Sequence, residues 1–460
     1  MAEPSWVRHA VWWHVYPLGF AGAEQDALPA GAPAEHRLQN LIPWLDYIVE
    51  LGASGLALGP VFASETHGYD TTDYFRIDPR LGDDNDFDAL IHEAHARGLR
   101  VLLDGVFNHT GRSFLPFTEA IGNGPTAPTA AWFRISWPQH DPETRPEQDG
   151  QEQAEPDYED FEGHHHLVAL NHAEPAVAHF VARVMKHWLG RGADGWRLDA
   201  AYAVPSAFWS AVLADVRAHY PEAYFVGEYI HGDYAGEVAG GTLDSATQYE
   251  LWKAVWSSLN DANFYELASS LERHNSLLDT FVPLTFVGNH DVTRIASQLR
   301  DPGLLPLALV VLFTVGGTPA VYYGDEQGYR GVKEDRAGGD DEIRPQFPGA
   351  PSELADLGHH IYQLHQELIG LRRRHAWLHT ARTAMLSLGN ENIVYRSTGE
   401  AGQDGEVPSV VVAMNQAEHP ADVEVPPSAA VLLAGNGRLV AGNRVALPAR
   451  GWAIVAPAGA

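Results

Sequence analysis

The sequence predicts an α/β protein: a (β/α)8 barrel with an irregular domain inserted after strand three and a C-terminal antiparallel β-sandwich. Three observations lead there. Short apolar runs suited to buried parallel strands alternate with stretches of helical spacing as far as about residue 375. Polar residues follow four of those runs directly, at intervals that match whole barrel units. Beyond residue 375 the alternation gives way to short β-rich runs broken by Gly, Pro and Asn436-Gly437.

The elements follow in order. A first strand falls at 11–16. Leu38, Leu41, Ile42, Leu45, Ile48 and Val49 lie at offsets 0, 3, 4, 7, 10 and 11, the face of a helix closed by Gly52, and strand two follows at 55–58. Phe87, Leu90, Ile91 and Ala94 form the next helical face, Gly98 stops it, and 99–103 is strand three. Val177, Phe180, Val181, Val184, Met185 and Trp188 precede a strand at 194–198; Trp209, Val212, Leu213 and Val216 precede one at 224–226. Later strands fall at 281–287 and 319–323, and a last helix near 361–371. The barrel is expected to occupy 1–107 and 172–375, the insertion 108–171 and the β-domain 376–460. The insertion has no regular period, and its segment 141–163 holds ten acidic residues against Arg145 alone, read as a solvated surface.

Composition narrows the function. With 460 residues, 45% apolar and 20% charged, the chain is an ordinary globular protein. Sixty Asp and Glu against 30 Lys and Arg give a formal charge of −30, which repels nucleic acid and anionic membranes and favours a small neutral ligand. No cysteine is present, which removes disulfides and thiolate chemistry and suits a reducing compartment. The first residues show no secretory pattern, and the longest apolar run, 304–315, is too short to span a bilayer and contains Pro306. A cytoplasmic protein without a membrane span is expected.

Four segments carry the chemistry: Asp104 to His109 (Asp-Gly-Val-Phe-Asn-His), Gly195 to Asp199 (Gly-Trp-Arg-Leu-Asp), Val226-Gly227-Glu228, and Val287 to Asp291 (Val-Gly-Asn-His-Asp). In a (β/α)8 barrel the strand C-termini converge on one cavity. From Asp199 to Glu228 is 29 residues, one barrel unit; from Glu228 to Asp291 is 63, two units; from Asp104 to Asp199 is 95, one unit plus the insertion. These segments then end strands three, four, five and seven. Arg197 and Asp199 share a strand face, as do Asn289 and Asp291. Crowded carboxylates cannot all ionise, so one is expected to keep a proton, and a carboxylate beside a carboxylic acid is what retaining glycoside cleavage requires.

The arrangement resembles the α-amylase family of glycoside hydrolases. Besides these four segments, His67 to Tyr74 (His-Gly-Tyr-Asp-Thr-Thr-Asp-Tyr) and Gly317 to Glu326 (Gly-Thr-Pro-Ala-Val-Tyr-Tyr-Gly-Asp-Glu) look like that family's motifs, in the family's order. The resemblance implies a nucleophile at Asp199, an acid/base at Glu228 and a third carboxylate at Asp291. It implies that Arg197 fixes Asp199, that His109 and His290 bond sugar hydroxyls, that Tyr69 stacks under the reacting ring, and that Asp70 and Asp104 complete the pocket. Plainer alternatives stand beside these: Asp104 as a structural acceptor for Arg197, Tyr69 as core packing, and His109 as a satisfied buried histidine.

The segment Leu167-Val168-Ala169-Leu170-Asn171 and Trp196 look most like the cyclomaltodextrinase and neopullulanase branch, although a strand at 11–16 leaves no room before it for that branch's N-terminal domain. Calcium-binding relatives use an Asn at the place of Asn108 and an Asp at the place of Ala169, and often a His at Ala203, so no metal or other cofactor is expected. His164, His165 and His166 alternate in direction and cannot all ligate one ion; substrate contact by one of them is the better reading. The function implied is hydrolysis of α-1,4- and possibly α-1,6-glucosidic bonds in short or cyclic gluco-oligosaccharides, such as cyclomaltodextrins or cyclic maltosyl-maltose. The alternatives are a transglycosylase or trehalose synthase-like isomerase using the same covalent intermediate, and an inactive binding relative, against which the retention of all three carboxylates argues. Oligomeric state is left open.

Overall fold

A computed structural model describes residues 3–138, 156–336, 338–402, 405–429 and 431–457. The acidic run therefore lies outside the described residues from 141 to 155; in its remainder Asp157, Glu159 and Glu162 are exposed.

Eight parallel strands form the barrel: β1 (Trp12–Val15), β2 (Gly55–Leu58), β3 (Arg100–Gly105), β4 (Gly195–Leu198), β5 (Tyr224–Gly227), β6 (Ser245–Ala246), β7 (Leu284–Phe286) and β8 (Thr318–Tyr322). Their order is β6-β5-β4-β3-β2-β1-β8-β7, and a bridge from Thr247 to Leu284 joins the two edge strands. Strand six is absent from the sequence reading: it is two residues long and flanked by Asp244, Thr247 and Gln248, so it forms no apolar run.

Alternation along the strands sorts the barrel interior into layers. Trp12, Leu102, Tyr224, Leu284 and Phe286 pack into an apolar floor. Two residues further on, β1, β3 and β5 present His14, Asp104 and Val226, with Arg197 of β4 in register with Asp104 and Val226. Gly55 of β2 makes the floor possible, because a Cβ there would lie 2.4 Å from the Trp12 ring.

The helical face read between 38 and 49 is built differently. Pro43 divides it into a 3-10 helix, Arg37–Trp44, and a short α-helix, Leu45–Leu51, and the change of pitch leaves Val49 41% exposed. Gly52 ends it at φ +97°, as a left-handed C-cap requires. The apolar run 304–315 is mostly an α-helix, Leu305–Thr314, buried at every residue except Pro306 in its first turn. Among the described residues no helix is long and apolar enough to cross a membrane.

Between β3 and the helix Pro175–Gly190 the chain forms a three-stranded sheet of His109–Gly111, His164–Ala169 and Asp160–Phe161. After the barrel, Arg382–Leu388, Asn392–Thr398, Ser409–Asn415, Gly451–Ala456 and Val431–Gly435 make a five-stranded sheet. Ala421–Glu424, Arg444–Leu447 and Arg438–Val440 make a three-stranded one. Val394, Val411, Val423, Val445 and Val455 pack between the two sheets, giving the expected sandwich.

Candidate active site

One guanidinium organises the carboxylates at the C-terminal ends of β3, β4 and β5. Nη1 of Arg197 donates to both oxygens of Asp104 at 2.9 Å and to Oδ1 of Asp199 at 2.8 Å, while Nη2 lies 2.6 Å from Oε1 of Glu228. The sheet's hydrogen bonding continues one residue beyond each strand, from Asp199 N to Gly105 O (3.0 Å) and from Glu228 N to Leu198 O (2.9 Å), so both carboxylates stand on rigid backbone. Glu228 is held further by the Ala200 amide (3.0 Å) and the Tyr249 hydroxyl (3.1 Å). Asp104 and Asp199 are pushed upward in pKa, Asp199 strongly, by burial first and by neighbouring carboxylates; Arg197 opposes the rise in both.

A second chain of contacts reaches Asp291. The Tyr69 hydroxyl donates to Oδ2 of Asp104 at 3.0 Å and is hydrogen-bonded to Nε2 of His290, which lies 2.9 Å from Oδ2 of Asp291. Asn289 donates to the Tyr249 hydroxyl (2.9 Å) and accepts the Asp291 amide (2.9 Å). Burial raises the Asp291 carboxyl, but His290, Arg344 and Arg197 outweigh it and hold the group well below the usual carboxylate range. His14 packs edge-on against His290 with ring centres 5.0 Å apart; burial, then His290 and Arg197, keep it neutral.

Asp70 and His109 lie deeper. Asp70 is 1% exposed and accepts from Thr66 Oγ1 at 2.5 Å. His109 has Nε2 3.0 Å from the Tyr69 carbonyl and Nδ1 3.2 Å from Asn108 Nδ2, and burial pulls its pKa down to about 3. The structure thus brings Tyr69, Asp104, Arg197, Asp199, Glu228, His290 and Asp291 into one connected set, with Asp70 and His109 behind it.

Sequence reasoning missed Arg344, Tyr249 and His14 as members of this set, and placed Asn289 on the face of Asp291 without a role. It also missed how the insertion joins it. Phe161 stacks on His109 at 4.7 Å, His166 faces His67 at 6.3 Å, and the Tyr202 hydroxyl donates to Glu162 at 2.9 Å. One hairpin therefore touches the loops after β2, β3 and β4. His165 points the other way and stacks on Tyr158 at 4.4 Å, so the three adjacent histidines do not converge.

At the positions of the calcium pattern, Ala169 and Ala203 bring no side-chain oxygen to join Asn108, where calcium takes six to eight oxygen ligands. Among the described residues, His36, Asp83 and Asp86 are the one trio of possible metal-ligand side chains close together, and Asp83 and Asp86 form the capping box of the helix Asp84–Ala96.

Residues 14–381 match the family described as "Alpha amylase, catalytic domain". The chain belongs to the alpha-amylase family. Within it, this chain is 30% identical over 448 residues to a cyclomaltodextrinase of Geobacillus thermopakistaniensis, covering 92% of this chain and 71% of that enzyme. It is 30% identical over 352 residues to the intracellular maltogenic amylase of Bacillus subtilis strain 168, covering 72% of this chain and 57% of that one. Its fold is similar to that of a cyclic α-maltosyl-(1→6)-maltose hydrolase from Arthrobacter globiformis solved with cyclic α-maltosyl-(1→6)-maltose. The TM-score is 0.80 at 25% identity, over 99% of this chain and 100% of that one. The protein is thus an alpha-amylase-family glycoside hydrolase, and the connected carboxylate set lies at the barrel end where that fold does its chemistry.

Directly beneath the set, inside the barrel, is a cavity of about 50 Å³ bounded by His14, Asp104, Arg197, Asn289 and His290 above and by apolar residues such as Leu102 below. His290 Nδ1 is buried without a hydrogen-bond partner beside it. At about 30 Å³ per molecule the cavity has room for one or two waters, with enough polar atoms around it to bind them.

Proposed function

We propose that the protein hydrolyses α-glucosidic bonds in short and cyclic gluco-oligosaccharides by double displacement, with Asp199 as nucleophile and Glu228 as acid/base. The observation that carries this reading is that Arg197 binds Asp199 through one nitrogen and Glu228 through the other. Two carboxyls sharing one planar fork are spaced for direct attack and proton delivery, rather than for the intervening water of an inverting enzyme.

In the first step Glu228 gives its proton to the glycosidic oxygen as Asp199 attacks the anomeric carbon; the bond to the leaving sugar breaks with its electron pair on that oxygen. In the second, Glu228 takes a proton from water, the water oxygen attacks the same carbon, and Asp199 leaves as a carboxylate. Asp104 and Asp199 crowd one guanidinium, and burial with the neighbouring carboxylates favours the protonated form of both aspartates against the pull of Arg197. Catalysis requires the state in which Asp199 is ionised and Glu228 carries the proton. Arg197 holds Asp199 and Glu228 in fixed relation to each other, and the Ala200 amide and Tyr249 hydroxyl keep Glu228 in place.

Asp291, kept ionised by His290 and Arg344, is assigned to the hydroxyls of the reacting ring together with His290, and Tyr69 to its face. Asp70 and His109 are assigned to the support of the Tyr69 loop. The donor set at Asn108, Ala169 and Ala203 supports action without calcium. The similarity to cyclomaltodextrinase and to the cyclic maltosyl-maltose hydrolase supports small substrates, and that to an intracellular amylase supports a cytoplasmic location.

The test is a panel of maltotriose, cyclomaltodextrins, cyclic maltosyl-maltose, pullulan and soluble starch, compared by kcat/KM with products resolved. The small substrates should lead starch by at least about tenfold, roughly 1.4 kcal/mol of transition-state binding. Starch as the best substrate would overturn the size assignment; longer or rearranged sugars as the main products would replace hydrolysis by transfer.

A further inference from the structure

At the other end of the barrel, where β1 and β8 begin, lies a pocket of about 230 Å³ lined by Arg8, His9, Arg372 and Arg373 together with Ala10 and Val11. A concentration of cations is unexpected in a chain with a formal charge of −30. Arg372 is 6% exposed, and its guanidinium donates to four backbone carbonyls, those of Phe313, Val315, Gly317 and Leu378. Arg373 donates to the Gly52 carbonyl at 3.2 Å. Among the described residues no carboxylate pairs with Arg8, Arg372 or Arg373, and Glu3 is bound to His379.

Burying a guanidinium without a counter-charge is costly, and burial pulls the Arg372 pKa down to about 9, whereas Arg8, His9 and Arg373 are exposed at the pocket's edge. The field of these cations is felt at His9, whose pKa is lowered by burial first and then by Arg8, His379 and Arg373. Arg372 and Arg373 close the helix His359–Arg374, so the helix dipole accounts for part of their placement. It does not account for Arg8, which comes from a different element, or for the pocket between them.

We propose that this pocket binds a phosphoryl dianion, free or carried on a small organic group. Arg8 and Arg373 bring guanidinia to the pocket from two elements, the donor type with which arginine binds the several acceptor oxygens of a phosphate, while Arg372, whose terminal nitrogens are spent on the four carbonyls, adds only its charge. A neutral His9 adds a further donor. The volume of about 230 Å³ equals that of about eight waters at roughly 30 Å³ each, which leaves space for a group attached to the phosphate.

The test is calorimetric titration of the full chain with orthophosphate and with glucose 6-phosphate, at constant ionic strength set with sodium chloride. One site per chain is expected, with a Kd below about 1 mM for at least one of the two. A tighter fit for glucose 6-phosphate assigns the ester, and a tighter fit for orthophosphate the free ion. The Arg8→Ala/Arg373→Ala double variant, with its fold checked by circular dichroism, should bind at least about tenfold more weakly. Glu228→Gln should bind unchanged, which separates this pocket from the carboxylate site. Absence of saturable heat from both ligands up to about 10 mM, an unchanged affinity in the double variant, or loss of binding in Glu228→Gln would each overturn the proposal.

Discussion

Nη2 of Arg344 lies 3.1 Å from Oδ1 of Asp291 and completes the environment that keeps this carboxylate ionised. The same guanidinium donates to the His290 carbonyl at 3.0 Å, pairs with Asp340 at 2.9 Å and lies over the Tyr16 ring at 4.5 Å. A lysine cannot make that set of contacts, because its ammonium has neither the fork nor the planar face. Arg344→Lys should lower kcat/KM by about 100-fold, or roughly 2.7 kcal/mol, with little change in thermal stability. Arg344→Met removes the cation, so the Asp291 pKa rises and the acid limb of the kcat/KM profile moves to higher pH. An activity within threefold of the parent and an unmoved acid limb would mean that Arg344 does not position Asp291.

Arg344 also shows where sequence reading stops. It sits between short 3-10 turns in a stretch without helical or strand period, and its role exists only because the fold brings that stretch over β7. Asp104, Arg197, Asp199, Glu228, His290 and Asp291 share another property: each lies at or just past the end of an apolar strand, where barrel topology dictates convergence, whereas Tyr69 and Asp70 came from a motif in the loop after β2. Ser245–Ala246 had no apolar run to mark it, yet the 63 residues between Glu228 and Asp291 already required a strand there. Tyr249 gave no signal at all, since a tyrosine at the start of a helix is indistinguishable from core packing until its hydroxyl is seen 3.1 Å from Glu228. The insertion's contacts were equally hidden, because Phe161, Glu162 and His166 work through aromatic and polar contacts to three separate loops rather than through any spacing.

Asp199 should become covalently glycosylated. A fluorinated glycosyl donor slows the second step and allows the labelled peptide to be mapped, and a label on another carboxylate would remove the assignment. Glu228→Gln should lose at least about 1,000-fold on maltotriose but keep the rate of glycosylation by donors whose leaving group needs no proton. Equal losses on both would argue against an acid/base role. The first product seen by NMR should carry the α configuration.

Removal of divalent ions should change nothing. The expectation rests on Ala169 and Ala203, which offer no side-chain oxygen beside Asn108. Dialysis against EDTA is expected to leave kcat and the melting temperature unchanged, and added calcium to raise neither. A drop of several degrees on chelation that calcium reverses would reveal a site built from other residues.

Glu326 sets a stability limit on the alkaline side. It is fully buried; its carboxylate accepts from the Tyr47 hydroxyl (2.9 Å), the Gly324 amide (3.0 Å) and Trp13 Nε1 (3.3 Å), and burial pushes its pKa up to about 7. Below the unfolded-state value near 4.5 both states hold the proton, and the full stability is present. As pH rises from there to about 7, the unfolded chain releases the proton while the native one keeps it, so stability falls across that window; above it both are ionised and the loss is constant. A shift of this size corresponds to about 3 kcal/mol. Glutamine preserves the shape and cannot ionise, and its amide can donate to the Tyr47 oxygen that the carboxylate now accepts from. Glu326→Gln should therefore lose much less stability than the parent between pH 5 and pH 8, measured as the shift in denaturant midpoint. Parallel losses in the two proteins would place the pH dependence elsewhere, with Asp325, whose pKa burial pushes up to about 6 against the pull of Arg294, as the next group to replace.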